Sequence, residues 1–362
     1  MTDRERFLAV FNYQPVDHPP LHLVGVWPDT LERWYGEGLP RGTDPHELLG
    51  VKNFRIRNLS GQTGVWPPYE QRVLSEDEEF TIEIDGMGRT TRNFRNSTSM
   101  PEWLEYPLKT PADLERILEE RFSRESLESR YPPEWEAQVR AAGAAHADDE
   151  LPHVDGGCYY NNLRSLAGPE VASYLFYDAP ALVDELFERI NVFCLEGLRR
   201  ATQLTTLDMI GFGEDIAFKT GPLLSPAMFR KFILPRYRKV MDLAHELGIF
   251  ATWYDSDGDL RQLIPDYLEV GINGVAPCEV AAGMAAPGLR KAFGRELRIV
   301  GAIDKREIAK GPAAIDAEIE RNRWVIEDGG FFPAIDHSVP ADVSWGNYQY
   351  FLEKLTGVLG IG

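Results

Sequence analysis

Cysteine is scarce in this chain, and its pattern excludes a disulfide framework. Three cysteines, Cys158, Cys194 and Cys278, occur among 362 residues. No two of them form a CxxC pair, and the odd number leaves one without a partner. This usage is typical of a reducing compartment, so we expect a cytoplasmic protein.

Long apolar segments are also missing. No stretch of about 18 consecutive apolar residues occurs, which is the length that a membrane-spanning helix needs. The first residues, "MTDRERFLAVFNYQPVDHPPL", are charged from residue 3 and lack the apolar core of a signal peptide. We therefore expect neither a membrane span nor a cleaved leader.

Positive charge is in deficit, while apolar material is abundant. Lysine and arginine number 38 against 57 aspartates and glutamates, which gives a net charge of −19. Such a surface repels nucleic acid and anionic membranes, so neither is expected as a partner. A polyanionic substrate would need a local basic pocket. Hydrophobic residues make up 43% of the chain, enough for a large core.

Strand-like and helix-like segments alternate regularly after residue 150. The predicted strands lie at 151–157, 207–215, 249–255, 272–279, 297–304 and 330–336. With an apolar segment at 18–27 they give seven or eight βα units, the number that closes a (β/α)8 barrel. Alternating residues around Asp85-Gly86 predict a β-ribbon. We predict an α/β fold: one TIM-barrel domain over 1–362, with an N-terminal β-ribbon insertion within 28–110.

Ionisable residues follow most of the predicted strands. In a TIM barrel the active site lies at these carboxyl ends, so the repetition favours one shared pocket. Turn chemistry, which also selects Asp and Gly, is the alternative for any single position. The residues concerned are Asp155, Glu214, Asp215, Asp255, Asp257, Glu279, Asp304, Lys305, Asp336 and His337.

The segment "WYDSDGDL" crowds three aspartates into five residues. Such carboxylates repel one another unless a positive group lies among them. One prediction is a divalent cation held by oxygen and nitrogen ligands. The alternative is a carboxylate–histidine acid/base site without metal. For Asp259 a helix cap is the better interpretation. The predicted metal ligands are Asp255, Asp257, Glu279 and His337.

Five further side chains are candidates because of their positions near strand ends. Tyr159 is predicted to be catalytic and Tyr160 to bind substrate, since both follow a glycine pair. Lys219, close to Glu214-Asp215, would bind a substrate carboxylate if it lies in the pocket. Trp253 and Tyr254 are candidates for an aromatic wall around an apolar or methoxylated ligand.

Several segments, in order along the chain, resemble the uroporphyrinogen decarboxylase superfamily. The resemblance covers most of the chain, is densest after residue 150 and implies a TIM barrel. The segments are "TDRERFLAVFNYQPVDHPP", "GEDIAFKTGPLLSPAMFRKFILPRYRKVMD", "YDSDGDLRQLIPDYLEVGINGVAPCEVAAGM", "IVGAIDKREIAKG" and "GGFFPAIDHSVPADVSWGNYQYFLEKL".

The resemblance implies two chemistries, and the chain departs from the pattern of each. Members that decarboxylate uroporphyrinogen use no metal and bind substrate with an arginine-rich N-terminal stretch. In this chain the corresponding region contains a single arginine, Arg33. Members that transfer methyl groups between a corrinoid protein and a thiol or pterin use a zinc motif, His-x-Cys-Gly, and a later Cys. The matching positions are Asp255 to Gly258 and His337, so both thiolates are absent.

Three functions follow as hypotheses. The first is metal-assisted methyl transfer between a corrinoid protein and a small methylated or methoxylated substrate or a thiol, with Zn, Mn or Fe as the metal. The second is a cofactor-free decarboxylase in which Asp215, Asp257 and His337 handle protons. The third is a barrel that binds a tetrapyrrole or corrinoid without catalysis. All three hypotheses are compatible with a homodimer.

Overall fold

The computed structural model describes residues 1–95, 100–144 and 150–361. Its strands, in chain order, are β1 (Arg55–Asn58), β2 (Arg72–Glu76), β3 (Phe80–Ile84), β4 (Thr90–Phe94), β5 (Glu102–Glu105), β6 (Glu150–Asp155), β7 (Met209–Gly213), β8 (Ala217–Phe218), β9 (Gly221–Pro222), β10 (Ala251–Asp255), β11 (Gly274–Cys278), β12 (Arg298–Ile303) and β13 (Phe331–Ile335).

The α-helices lie mostly between the strands of the parallel sheet. They are α1 (Asp3–Phe11), α2 (Pro28–Gly36), α3 (Pro45–Leu48), α4 (Pro111–Arg121), α5 (Trp135–Ala144), α6 (Tyr159–Asp178), α7 (Pro180–Leu204), α8 (Pro226–Phe232), α9 (Leu234–Glu246), α10 (Ile264–Glu269), α11 (Ala286–Phe293), α12 (Lys305–Ile308), α13 (Pro312–Asp328) and α14 (Trp345–Leu359). No helix in these described ranges is long and apolar enough to cross a membrane.

A curled parallel sheet forms the centre of the molecule. Its strand order is β1-β6-β7-β10-β11-β12-β13, and every neighbouring pair is parallel. Parallel neighbours require crossover connections, which here contain the helices. All six strands predicted after residue 150 are present, which confirms the α/β class.

The eighth strand position differs from the prediction. Residues 18–27 contact both edges of the sheet, since Phe54 N donates to Leu21 O at 3.3 Å and Val339 N donates to Gly25 O at 2.8 Å. They nevertheless form only an isolated bridge and no regular strand. Pro19 and Pro20 lack the N–H groups that a ladder needs. The described residues therefore show seven parallel strands and not the eight of a complete (β/α)8 barrel.

The first strand of the sheet, β1, lies in a region where sequence reasoning predicted no strand. Its residues, Arg55-Ile56-Arg57-Asn58, are mostly exposed and contain one apolar side chain. Strand prediction depends on apolar alternation, and such alternation is absent here. The pairing of β1 with β6 supplies the order that its own residues do not specify.

The predicted β-ribbon is present and larger than expected. Strands β3 and β4 form the hairpin at Asp85-Gly86, and β2 and β5 extend it to a four-stranded antiparallel sheet. The Asp85 carboxylate shapes the turn by accepting hydrogen bonds from Met87 N and Arg89 N, both at 2.9 Å. This side-chain-to-backbone bonding is typical of Asp in turns.

Helix α1 closes the amino end of the parallel sheet. Its Phe7, Val10 and Phe11 are buried against apolar side chains from the inner face of the sheet. The Phe7 ring centroid lies 4.9 Å from that of Phe332 and 6.2 Å from that of Trp253. Because this end is filled, the space inside the curled sheet opens at its carboxyl end.

Candidate active site at the carboxyl ends of the strands

A cavity of about 400 Å³ lies inside the curled sheet at its carboxyl end. We call it the mouth cavity. Segment 22–25, β1 and the ends of β10 to β13 all contribute to its wall. Apolar groups form most of the wall, and ionisable groups lie together on one part of it. The ionisable side chains are His22, Asp255, Asp257 and His337.

Strand alternation decides which residues of β10 reach the mouth cavity. Trp253 and Asp255 point inward and line it, whereas Tyr254 between them points outward. Tyr254 is fully buried, with its hydroxyl 3.3 Å from that of Tyr237 and its ring packed on Tyr267. The expected substrate-binding role of Tyr254 is therefore corrected, while Trp253 lies where the prediction placed it.

Asp257 and His337 form an ion pair at the mouth cavity. The His337 Nε2 and Asp257 Oδ2 atoms are 3.6 Å apart. The pairing lowers the pKa of Asp257 and raises the pKa of His337 from their ordinary values. The Trp27 ring lies nearly parallel to the imidazole, with 6.5 Å between the centroids. Both groups line the cavity and can exchange a proton with a ligand.

Asp255 differs from its neighbours because it has no cation of its own. Across the described part of the chain, no group forms a hydrogen bond or ion pair with its carboxylate. Desolvation inside the cavity, followed by the charges of Asp215 and Asp257, raises its pKa to about 6. Asp255 is nonetheless exposed at the end of β10, where it lines the mouth cavity. It can therefore hold a proton near neutral pH and deliver it to a ligand.

The other crowded carboxylates are each neutralised by a basic side chain. Arg164 Nη2 lies 3.1 Å from Asp215 Oδ2, and Lys305 Nζ lies 3.2 Å from Glu279 Oε1. Asp259 pairs with Arg261 at 2.8 Å and accepts its backbone N–H. The predicted helix cap is wrong, because α10 begins at Ile264 with Leu263 at its N-cap. These pairs explain how the sequence can crowd negative charge after its strands.

The four predicted metal ligands lie around the mouth cavity, but they do not converge on one point. Glu279 is occupied by Lys305 and by Gly258 N, which donates to Oε2 at 3.1 Å. Within the described ranges, no group of three or more His, Cys, Asp or Glu side chains is arranged to hold a metal ion. The donor set therefore does not fit the expected metal, because Asp257, His337 and Glu279 are already paired and Asp255 alone of the four is left without a cation.

Glu214 is a buried structural residue behind the site, and the sequence did not reveal its environment. It is buried, and its carboxylate accepts hydrogen bonds from Tyr159 N at 2.6 Å, Asn161 N at 2.9 Å and the Tyr237 hydroxyl at 2.7 Å. Burial raises its pKa to about 7, although these donors oppose the shift. Glu214 thereby caps α6. The position of Glu214 directly after β7 indicated a place near the site. It did not indicate which of Glu214 and Asp215 turns inward.

Three other predicted site residues lie away from the mouth cavity. Tyr159 is fully buried, and Asn191 Nδ2 donates to its hydroxyl at 2.8 Å, so the catalytic role is corrected to a structural one. Tyr160 is also buried in the core. Lys219 is exposed beside the ring of Phe218 in the β8–β9 hairpin. Asp215, held by Arg164, borders the site without lining the cavity.

His22 lines the mouth cavity, as its place in the apolar segment allowed. Its ring packs edge-on against Trp253 at 5.3 Å and near Phe54 at 5.4 Å. Burial lowers its pKa to about 4, so it is neutral at physiological pH. Its Nδ1 has no hydrogen-bond partner among the described residues. Because this nitrogen is itself buried, His22 contributes a neutral ring surface to the cavity wall.

The parallel sheet, its filled amino end and the ionisable cavity at its carboxyl end define a class of TIM-barrel-like enzymes. Within that class the chain belongs to the uroporphyrinogen decarboxylase family, whose pattern matches residues 162–357. Among solved structures it is similar to a methyltransferase from Methanosarcina mazei, with 17% identity, coverage of 98% of each chain and a TM-score of 0.58. That likeness establishes the fold alone. No curated protein matches the chain.

Proposed function

We propose that this protein transfers a methyl group from a heteroatom of a small substrate, with Asp255 as the proton donor. The observation that carries the proposal is the unpaired Asp255 carboxyl, whose pKa is raised to about 6, on the wall of a largely apolar cavity. An apolar cavity accepts a methyl group, and an acid activates the atom that bears it. A fold neighbour named as a methyltransferase supports this class of reaction.

The proposed step uses a methyl ether as the simplest substrate. Asp255 gives its proton to the ether oxygen, and the carbon–oxygen bond breaks with both electrons remaining on oxygen. The product is an alcohol or phenol. The methyl carbon forms its new bond with an electron pair of the acceptor, and Asp255 regains a proton from water at the mouth of the cavity. No net oxidation or reduction of the substrate occurs.

The neighbouring side chains would hold the substrate in position. The Asp257–His337 pair can hydrogen-bond the departing oxygen, and Trp253 gives the methyl-bearing part a flat apolar contact. Holding the reacting atoms in line with the acceptor lowers the barrier by removing translational freedom. The acceptor must approach from the open carboxyl end, because α1 fills the other end. We propose a reduced corrinoid on a partner protein as that acceptor.

Decarboxylation is the second candidate, and one observation favours it. Such a reaction needs no metal, and the described residues contain no three-donor group that would hold one. A substrate with many carboxylates would find few free cations near the mouth cavity. Arg164 is already paired with Asp215, and Lys305 with Glu279. A tetrapyrrole with many acidic arms would leave most of its charges unpaired.

The test is turnover with a panel of small methyl ethers, using free cobalamin reduced to the cobalt(I) state as the acceptor. We expect release of the demethylated alcohol or phenol together with loss of the cobalt(I) absorption. Asp255→Asn should lower the rate by about 10²- to 10⁴-fold, the usual contribution of a general acid. The matched control is Asp316→Asn, since Asp316 contacts Tyr350 on the outer helices.

Three outcomes would decide against the proposal. If Asp255→Asn retains the wild-type rate, Asp255 is not the acid. If no ether is demethylated while a carboxylated substrate loses carbon dioxide, decarboxylation is the function. Binding of cobalamin without turnover of any substrate would instead indicate a binding barrel.

A further inference from the structure

A second cavity, of about 180 Å³, lies between the antiparallel sheet and α6. We call it the arginine cavity. A kink in α6 at Gly168, where φ is +73°, creates the space, and the Tyr106 ring packs on that glycine so closely that a Cβ would lie 2.8 Å from it. Leu108 N anchors the adjoining segment by donating to Leu166 O at 3.0 Å. The lining residues are Arg89, Trp103, Tyr106, Arg164, Ser165 and Pro169.

Two guanidinium groups line this cavity, in a chain of net charge −19. Each is held from behind by an aspartate: Arg89 Nε donates to Asp85 at 2.7 Å, and Arg164 Nη2 donates to Asp215 at 3.1 Å. Among the described residues, the Nη groups of Arg89 and the Nε and Nη1 of Arg164 have no hydrogen-bond partner. The aspartates therefore fix both side chains while leaving fork-shaped donor groups available.

Arg164 also connects the arginine cavity to the mouth cavity. Its ion-pair partner, Asp215, acts electrostatically on Asp255, and Arg164 itself acts on Asp257. One residue thus forms a wall of the first cavity and belongs to the charge network of the second. The geometry agrees, because Asp215 lies two residues beyond Gly213, which pairs with Asp255 in the parallel sheet.

We propose that the arginine cavity binds the carboxylate of a small aromatic substrate whose methylated heteroatom reaches the mouth cavity. Guanidinium groups match the planar geometry of a carboxylate with two parallel hydrogen bonds. Trp103, over which Arg89 lies at 5.6 Å from the ring centroid, and Tyr106 supply flat apolar contacts for an aromatic ring. The substrate class is thereby an aromatic methyl ether that carries one carboxylate.

Cavity size and charge favour one carboxylate over the alternatives. A volume of about 180 Å³ is below the range of drug-sized sites, so it receives one end of a small molecule. A phosphate ester would bring about two negative charges into a strongly acidic protein, where a carboxylate brings one. A ligand with several carboxylates would exceed the two guanidinium groups present.

The experiment is calorimetric titration of the full-length protein with benzoate, which has the carboxylate and ring but no methyl group. We expect Arg89→Gln and Arg164→Gln each to weaken binding by about 10- to 100-fold, because each loses a charge-assisted hydrogen bond. Arg89→Lys keeps the positive charge but loses the forked donor geometry, so its affinity for benzoate should lie between those of wild type and Arg89→Gln. The matched control is Arg230→Gln, which removes an arginine–aspartate pair on α8 and should bind like wild type.

Several results would overturn the proposal. They are tighter binding of phenyl phosphate than of benzoate, equal binding of benzyl alcohol and benzoate, or wild-type affinity in both glutamine variants. Because the inference rests on the proposed methyl transfer, the two are tested separately. Benzoate binding that depends on both arginines, without any demethylation, would retain the subsite and reject the function. Demethylation of neutral ethers, without benzoate binding, would retain the function and reject the subsite.

Discussion

At the residue scale, Asp255 and Glu214 are carboxyls with raised pKa values in different settings. Asp255 has no hydrogen-bond donor in the described part of the chain, contacts the mouth cavity and lies near the charges of Asp215 and Asp257. Glu214 is enclosed and accepts several donors, so its proton has no path to a ligand. Accessibility therefore makes Asp255 the candidate acid and Glu214 a structural group.

The pH profile tests the role of Asp255. Its proton-bearing form is lost as the pH rises through about 6, so we expect kcat/KM to fall by about tenfold per pH unit above that value. Asp255→Asn should be slow and should lack this limb. The measurement is initial rate against pH from 5 to 9. A wild-type rate that stays flat or rises between pH 6 and 8 would contradict the acid role.

The same shift has a consequence for stability. The pKa of Asp255 is raised above its ordinary value of 3.8, so the folded protein holds the proton more tightly than the unfolded chain does. Between about pH 4 and 6 this group makes the protein less stable as the pH rises. A carboxyl whose raised pKa costs stability at neutral pH is typical of functional sites.

At the scale of elements, the ends of secondary structures determine the site. Helix α6 begins at Tyr159, where Glu214 satisfies backbone N–H groups that have no partner within the helix. The same helix carries Arg164 one turn later. The loop after β7 thus fixes both the start of α6 and, through Asp215, the arginine between the two cavities.

Removal of the Glu214 side chain should be costly for that reason. Glu214→Ala leaves two backbone N–H groups and the Tyr237 hydroxyl unsatisfied in the core. We expect a loss of about 2–5 kcal/mol in the free energy of unfolding, measured by urea denaturation. The control, Asp215→Asn, keeps a residue type that tolerates the positive φ of 44° and should cost below about 1 kcal/mol. Equal losses in both variants would refute the capping role.

At the scale of the whole molecule, basic side chains within the protein pair with several of the acidic residues that follow the strands. The carboxylates after successive strands lie close together, yet Arg164, Lys305 and His337 each neutralise one of them. Metal binding would require Lys305 to leave Glu279. This internal balance is the physical reason why the expected four-ligand metal site is not assembled.

We therefore expect protein purified without an affinity tag to contain less than stoichiometric Zn, Mn or Fe by elemental analysis. Added metal should leave the unfolding temperature unchanged, because a ligand stabilises only what it binds. Asp257→Ala and His337→Ala should have the same metal content as wild type. One equivalent of metal in wild type that both substitutions remove would restore the metal-site prediction.

The sequence by itself determined the α/β class, six of the seven parallel strands and the positions of the ionisable residues. These features depend on local apolar periodicity and on the residues that follow each strand, which can be read along the chain. Strand β1 and the irregular segment 18–27 could not be read in this way. β1 lacks apolar alternation, and segment 18–27 has the apolar residues of a strand but too few N–H donors.

Only the tertiary structure decided which candidates form the site. Alternation along β10 turned Trp253 and Asp255 toward the cavity and Tyr254 toward the helices. The loop after β7 buried Glu214 and left Asp215 half-buried beside Arg164. The partners of these two carboxyls lie 23 to 55 positions away along the chain. The pKa of a carboxyl depends on such partners and on water access. The sequence thus located the charges, and the fold assigned each its neighbour.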